Sequence, residues 1–126
     1  MFILPQIARQ GVESFNAGKY FKCHDELEGV WRTKKGAERD YYHGLIQIAV
    51  ALYKIKDAPR WAGAVSLLET GTGYLSHVDP EQVELDIVRL IADSRALMAR
   101  LKEAGPERLG EFASGPMPLM HYRDGR

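Results

Sequence analysis

Two pairs of polar side chains with the chemistry of a binding site stand four residues apart in the first half of the chain: His24 with Glu28, and His43 with Gln47. A spacing of four puts both members of a pair on one face of an α-helix. On the second predicted helix that face is otherwise rich in apolar and aromatic residues, and on the third helix the pair lies at an edge of the apolar face. A polar group buried without a partner costs about 1–3 kcal/mol. Polar pairs on such faces therefore predict either a site or a cluster that satisfies itself.

The position of the two pairs relative to the turn at Lys35 predicts how they meet. Glu28 lies seven residues before Lys35 and His43 eight after it, while His24 lies eleven before and Gln47 twelve after. In an antiparallel helical hairpin with a rise of about 1.5 Å per residue, residues equidistant from the turn are level. We therefore expect two facing rows, Glu28 with His43 and His24 with Gln47.

Three explanations fit these rows. In the first, the cluster is structural: Glu28 accepts a hydrogen bond from His43, and Gln47 fixes the His24 ring. In the second, His24, Glu28 and His43 hold a divalent metal ion such as zinc, iron or manganese, because helical bundles build metal sites from inward-facing His and Glu. In the third, His24 and Glu28 form a catalytic acid–base pair that needs no metal.

Aromatic residues would line a ligand site in this region. Tyr20 and Trp31 lie four residues before and seven after His24, hence on its face of the helix. Together with Gln47 and His43 they are the predicted ligand-binding residues. Large aromatic side chains on a helical stripe are also ordinary core residues, so this assignment and simple packing both stay open.

Apolar periodicity predicts the helices that position these residues. A short first helix is expected between Pro5 and Gly18, the second over 19–33 and the third over 38–57. The third is apolar most of the way round, which is typical of a central helix.

A fourth helix is predicted to begin at Trp61. Apolar residues at helical spacing support it as far as Glu69 or one turn beyond. Gly71 and Gly73 weaken any continuation of the helix beyond that point, because glycine has a low helix propensity.

The last helix has two possible starts. Asp79 could cap a helix that begins at once, or an extended link could lead to Asp86 as the cap of a helix that ends at Ala104. Gly and Pro dominate the residues after Ala104, which predicts irregular structure packed on the body or partly mobile. The predicted organisation is a helical bundle domain over 1–104 and an irregular C-terminal tail over 105–126.

Composition limits the classes of partner. The 126 residues fit one domain, and 17 basic residues balance 17 acidic ones, which gives no electrostatic case for nucleic acid or an anionic membrane. No apolar run approaches the roughly 18–20 residues of a membrane span. The single cysteine, Cys23, favours a reducing compartment, and it points about 100° away from His24 on the helix, as expected of a packing residue. The sequence predicts a soluble, cytoplasmic protein.

The residues around both pairs form a long motif in two parts. The first part is F-N-x-G-x-Y-F-x-x-H-D-x-L-E-x-x-W-R over 15–32, and the second is Y-H-G-L-I-Q-x-A-V-A-L-Y over 42–53. This motif resembles the domain of unknown function family 309, small all-helical proteins of bacteria, archaea and plastids. The resemblance covers roughly residues 10–75.

The resemblance implies a compact closed bundle of about five helices. The motif positions that the family shares most plainly are His24, Glu28, Trp31, Gly44 and Gln47. Position 43 often holds another residue in the family, which weakens His43 as an obligatory metal ligand. Asp25 stands where the family usually has Glu. No established activity comes with the family.

These observations predict a single all-α bundle with a polar site at its second and third helices. The leading hypothesis is a domain that binds a small molecule or a metal ion, with hydrolysis as candidate chemistry. The alternative is a non-enzymatic scaffold or interaction module, a homodimer through an exposed apolar face, whose polar cluster is structural. Solvent access separates the two, because a ligand site opens to solvent whereas a structural cluster is buried and fully paired.

Overall fold

A computed structural model describes residues 1–126. The α-helices are α1 (Gln6–Asn16), α2 (Tyr20–Trp31), α3 (Gly36–Lys56), α4 (Trp61–Ser76) and α5 (Ile87–Ala104). A 3₁₀ turn, Pro80–Gln82, precedes α5, and a 3₁₀ helix, Pro106–Phe112, comes after it. The all-α class is confirmed, and the 3₁₀ helix after α5 makes six helices instead of about five. None of the helices has the length and apolar character needed to cross a bilayer.

Helix α3 is the centre of the bundle. Ten of its 21 residues are buried, on several sides of the helix. Helices that are consecutive in the chain pack together, with α3 between α2 and α4. The predicted central position of this helix is confirmed, and both polar pairs therefore lie where α2 and α3 meet.

The predicted capping residues are found at the end of α1 and at the start of α5. Gly18 comes after α1 with φ +77°, a left-handed conformation that favours glycine. The Asp86 carboxylate accepts a hydrogen bond from the Arg89 N–H at 3.0 Å and caps α5, which selects the second of the two possible starts. Asp79 caps only the short 3₁₀ turn, through the Glu81 N–H.

The predicted C-terminal end of α4 was too early. The helix continues past Glu69 and through both glycines to Ser76. Gly71 and Gly44 lie where α4 and α3 cross, and a Cβ on Gly44 would lie 2.8 Å from the Gly71 carbonyl oxygen. The missing side chains let the two backbones approach, so helix packing compensates for the low helix propensity of glycine.

The C-terminal tail, 105–126, packs on the body, which was one of the two alternatives. Leu85 and Tyr122 form an isolated antiparallel β-bridge. The Asn16 side chain at the end of α1 donates to the Met120 carbonyl and accepts from the Met120 N–H, both at 2.8 Å. Met120 is buried. The tail is not irregular throughout, since it begins with the 3₁₀ helix Pro106–Phe112, and these long-range contacts order the residues after that helix.

Glu84 connects the two chain termini. Its side chain is only 8 % exposed, and it accepts hydrogen bonds from the Leu4 N–H at 2.6 Å, from Arg9 at 3.0 Å and from Arg126 at 2.9 Å. Burial raises the pKa of this carboxyl, but the three hydrogen bonds outweigh burial and hold the pKa below its ordinary value.

This arrangement predicts a loss of stability in acid. A carboxyl with a lowered pKa in the folded state stabilises the protein above its unfolded pKa, about 4.3, and that contribution is lost as the pH falls through the folded value. Urea unfolding between pH 6 and pH 3 is therefore expected to show a steeper decline for wild type than for Glu84→Gln. Parallel declines would contradict the assignment of this effect to Glu84.

Candidate functional site

A cavity of about 230 Å³ lies between α2, α3 and α4 at the predicted polar cluster. Its lining residues are His24, Glu28 and Trp31 of α2, His43, Ile46, Gln47 and Val50 of α3, and Leu67 of α4. Five of the six predicted site residues thus line one cavity, in which half of the lining residues are hydrophobic. Such a lining is typical of small-molecule sites, although the volume is below their usual range of about 300–1,000 Å³.

The His24 imidazole lies between two carboxylates at the edge of the cavity, where His24 and Glu28 line the cavity and Asp25 does not. His24 Nε2 lies 3.3 Å from a Glu28 oxygen, and His24 Nδ1 lies 3.2 Å from an Asp25 oxygen. The other Glu28 oxygen accepts a hydrogen bond from Arg32 at 2.7 Å. The candidate ligand atoms of His24, Asp25 and Glu28 all lie within 4.8 Å of one another. His24 Nε2 and the Glu28 carboxylate could hold one cation, with Asp25 at the other ring nitrogen.

A neutral His24 imidazole cannot donate a hydrogen bond to both carboxylates. A neutral ring carries one N–H and one lone pair. If Nδ1–H donates to Asp25, the lone pair of Nε2 faces the Glu28 oxygen, and two acceptors repel each other at 3.3 Å. A second proton on the ring, or a metal ion between His24 and Glu28, removes this conflict.

The pair on α3 is connected to α4 by hydrogen bonds. The Thr70 hydroxyl donates to the Gln47 side-chain oxygen, and the Gln47 amide nitrogen donates to His43 Nε2 at 3.0 Å. Because an amide nitrogen only donates, His43 Nε2 accepts and the ring carries its proton on Nδ1. Thr70 and Gln47 thereby set the His43 tautomer.

Aromatic rings enclose His43. Its ring stacks on Tyr74 with centroids 4.3 Å apart and contacts the Trp31 ring at 5.1 Å. The Arg39 guanidinium lies over the Trp31 ring, 4.6 Å from its centroid. Burial, and then the positive charge of Arg39, lowers the pKa of His43. His43 therefore favours its neutral form, and its ring forms part of the cavity lining.

The pairing of the polar residues differs from the predicted rows. We expected hydrogen bonds across the two helices, between Glu28 and His43 and between His24 and Gln47. The structure instead pairs His24 with Glu28 and His43 with Gln47 within each helix, because residues at i and i+4 are already neighbours. His43 is also outside the group of candidate metal ligands, where Asp25 takes its place.

Tyr20 does not line the cavity. It is 4 % exposed, and its ring packs edge-on against Phe15 at 5.5 Å. Packing, the simpler of its two explanations, accounts for this contact. Cys23 is fully buried, and burial, with a smaller effect of Glu26, raises the pKa of its thiol to about 12. The prediction of a packing role for Cys23 is confirmed, since an un-ionised thiol is a poor nucleophile.

Sequence reasoning missed the contribution of α4. Leu67, Thr70 and Tyr74 contact the cavity or the polar pairs from the third side. Their spacing, at intervals of three and four, marks one face of a helix. That pattern says which residues lie together, but not which other helix they meet.

The fold and the cavity define an all-α domain in which a His–carboxylate pair lines a cavity. Residues 8–67, from α1 to the middle of α4, match the family described as Domain of unknown function (DUF309). The match confirms the resemblance inferred from the motif. The matched range contains both polar pairs.

Two curated relatives are uncharacterised proteins. One, from Aquifex aeolicus (strain VF5), is 32 % identical over 60 residues, which are 47 % of this chain and 18 % of the relative. The other, Uncharacterized protein YpuF from Bacillus subtilis (strain 168), is 36 % identical over 83 residues, 64 % of this chain and 47 % of the relative. The matched segment is thus less than half the length of either relative.

Proposed function

We propose that this domain binds a divalent metal ion through His24 Nε2 and the Glu28 carboxylate, next to a cavity that holds a small molecule. The observation that carries the proposal is the contact of Nε2 with Glu28 at 3.3 Å while Asp25 lies at Nδ1. A carboxylate at the second nitrogen of a metal-ligating His is a common arrangement, because it fixes the tautomer and raises the basicity of the ligand. Asp25 has that position here.

Solvent access supports a binding function over a structural cluster. The side chains of His24 and Glu28 are 27 % and 29 % exposed and face a cavity. A cluster whose only task is to pair two helices has no need of such access, and its polar groups would be paired across the helices. Here the polar contact of each pair lies within a single helix, so neither pair joins α2 to α3 by a hydrogen bond or an ion pair.

Two protein ligands leave most of the coordination sphere open. An open sphere is characteristic of metal ions that act on a substrate, whereas structural zinc has four protein ligands. The ion would polarise a bound group or activate a water molecule, which is hydrolytic chemistry. Arg32 competes for Glu28, but its side chain is 69 % exposed and an exposed ion pair contributes little.

Calorimetric titration of tag-free protein with Zn²⁺ tests this proposal. We expect one ion per wild-type chain and a loss of affinity of about tenfold or more in Glu28→Gln, because the amide removes the negative ligand. Glu38→Gln is the matched control. Glu38 is also paired with a basic residue four positions away, Lys34 at 3.6 Å, and is 25 % exposed.

Zinc binding that Glu38→Gln weakens as much as Glu28→Gln would contradict the site. Wild-type protein that binds no zinc would favour the scaffold explanation of the polar cluster. Circular dichroism of each variant shows whether the fold is retained. The homodimer and the cytoplasmic location inferred from the sequence stay predictions.

A further inference from the structure

A large aromatic side chain lies exposed beside the cavity. Phe21 is 57 % exposed. Its ring centroid lies 5.6 Å from the His24 ring and 5.6 Å from the Tyr53 ring. Single exposed apolar residues are ordinary on protein surfaces. Phe21 differs because it forms a continuous aromatic surface with a residue of the site and with a second helix.

This aromatic surface continues the cavity along the bundle. His24 and Val50 line the cavity, on α2 and α3 respectively. Phe21 lies about one turn before His24, and Tyr53 about one turn after Val50. One turn of helix is about 5.4 Å long. The cavity and the Phe21–Tyr53 surface together offer a polar end and an adjoining aromatic face.

We infer that the ligand of this site is a small aromatic carboxylate, an inference that rests on the proposed metal site. Its carboxylate would complete the coordination of the ion at His24 and Glu28, and its ring would lie on Phe21 and Tyr53. Carboxylate oxygens are ordinary zinc ligands. Aromatic rings in offset or edge-to-face contact attract each other beyond the effect of buried area.

The charges around the site select an anion once the ion is bound. The nearby carboxylates are Asp25 and Glu28, and Arg32 lies within 2.7 Å of Glu28. A divalent ion added to these groups makes the site net positive. An organic cation would be repelled, whereas an anion is attracted and also supplies a metal ligand.

Benzoate and acetate are the probes that test this inference. Zinc-loaded protein is titrated with each, and binding is followed from amide chemical shifts in ¹⁵N-labelled protein. We expect benzoate to bind about fivefold tighter than acetate, and the ratio of the two affinities to fall toward one in Phe21→Leu. Val88→Ala is the matched control, since Val88 is 59 % exposed and lies on α5. It is expected to keep the wild-type ratio.

The outcomes separate this inference from the metal proposal. Zinc binding with equal affinities for benzoate and acetate, or with a ratio that Phe21→Leu leaves unchanged, overturns the aromatic ligand and leaves the metal site standing. Absence of zinc binding overturns both. A ratio that falls equally in Val88→Ala would also overturn the role of Phe21. Acetate serves as an internal reference. A change in zinc affinity would alter the binding of benzoate and acetate alike, so the ratio of their affinities reports only on the aromatic ring.

Discussion

Gly44→Ala is expected to destabilise the domain by about 2 kcal/mol and to separate Thr70 from Gln47. A Cβ at Gly44 would lie 2.7 Å from Leu75 Cγ and 2.8 Å from the Gly71 carbonyl oxygen. The carbonyl belongs to the backbone of α4, so relief requires the two helices to move apart. Helix propensity favours Ala over Gly by up to about 1 kcal/mol, which offsets part of the overpacking cost.

Gly29→Ala is the matched control for this substitution. Gly29 also lies within a helix, α2, but nothing lies within 4 Å of a Cβ built there. This variant should be stabilised by about 0.5–1 kcal/mol, since only the propensity effect remains. Urea unfolding of both variants measures whether each substitution raises or lowers the free energy of unfolding. Equal shifts in the same direction would show that the α3–α4 crossing tolerates a methyl group.

Glu84→Ala is expected to cost about 3 kcal/mol, because it leaves the Leu4 N–H and Arg9 without their acceptor. The Glu84 side chain is 8 % exposed, whereas its partners Arg9 and Arg126 are 30 % and 51 % exposed. Because Arg9 and Arg126 can be solvated once Glu84 is removed, the expected loss of stability lies at the lower end of the range for buried ion pairs. Unfolding in urea at pH 7 measures the difference.

Glu111→Ala provides the comparison for an exposed ion pair. Glu111 pairs with Arg108 at 2.8 Å, but both side chains are largely exposed. We expect no measurable change in its unfolding midpoint, because exposed pairs contribute little. If Glu84→Ala also left the midpoint unchanged, the connection between the two termini would be irrelevant to stability.

The local structure of the first half could be predicted from the sequence. Apolar residues at intervals of three and four placed α2 and α3 within two residues of their observed ends, and Gly18 marked the end of α1. These signals are local, since helix periodicity and capping depend on residues within a turn or two of each other. The same periodicity placed the His24–Glu28 and His43–Gln47 pairs each on one helical face.

The extent of α4 and the order of the tail could not be predicted in this way. Gly71 reads locally as a helix breaker, yet it lies inside α4 because its backbone meets Gly44 of α3. The tail reads as irregular, yet Met120 is buried against Asn16, 104 positions earlier in the chain. Both outcomes depend on contacts between residues distant in sequence, which local propensity does not contain.

For the candidate site, helical spacing alone shows which polar residues share a face. The surroundings of each side chain depend on contacts between helices, which the sequence pattern does not contain. The tertiary structure turned His43 into a neutral ring between Trp31 and Tyr74, and it left His24 and Glu28 open to solvent. Burial, hydrogen-bond partners and nearby charges set what an imidazole can do, and α4 supplies several of these from outside the motif.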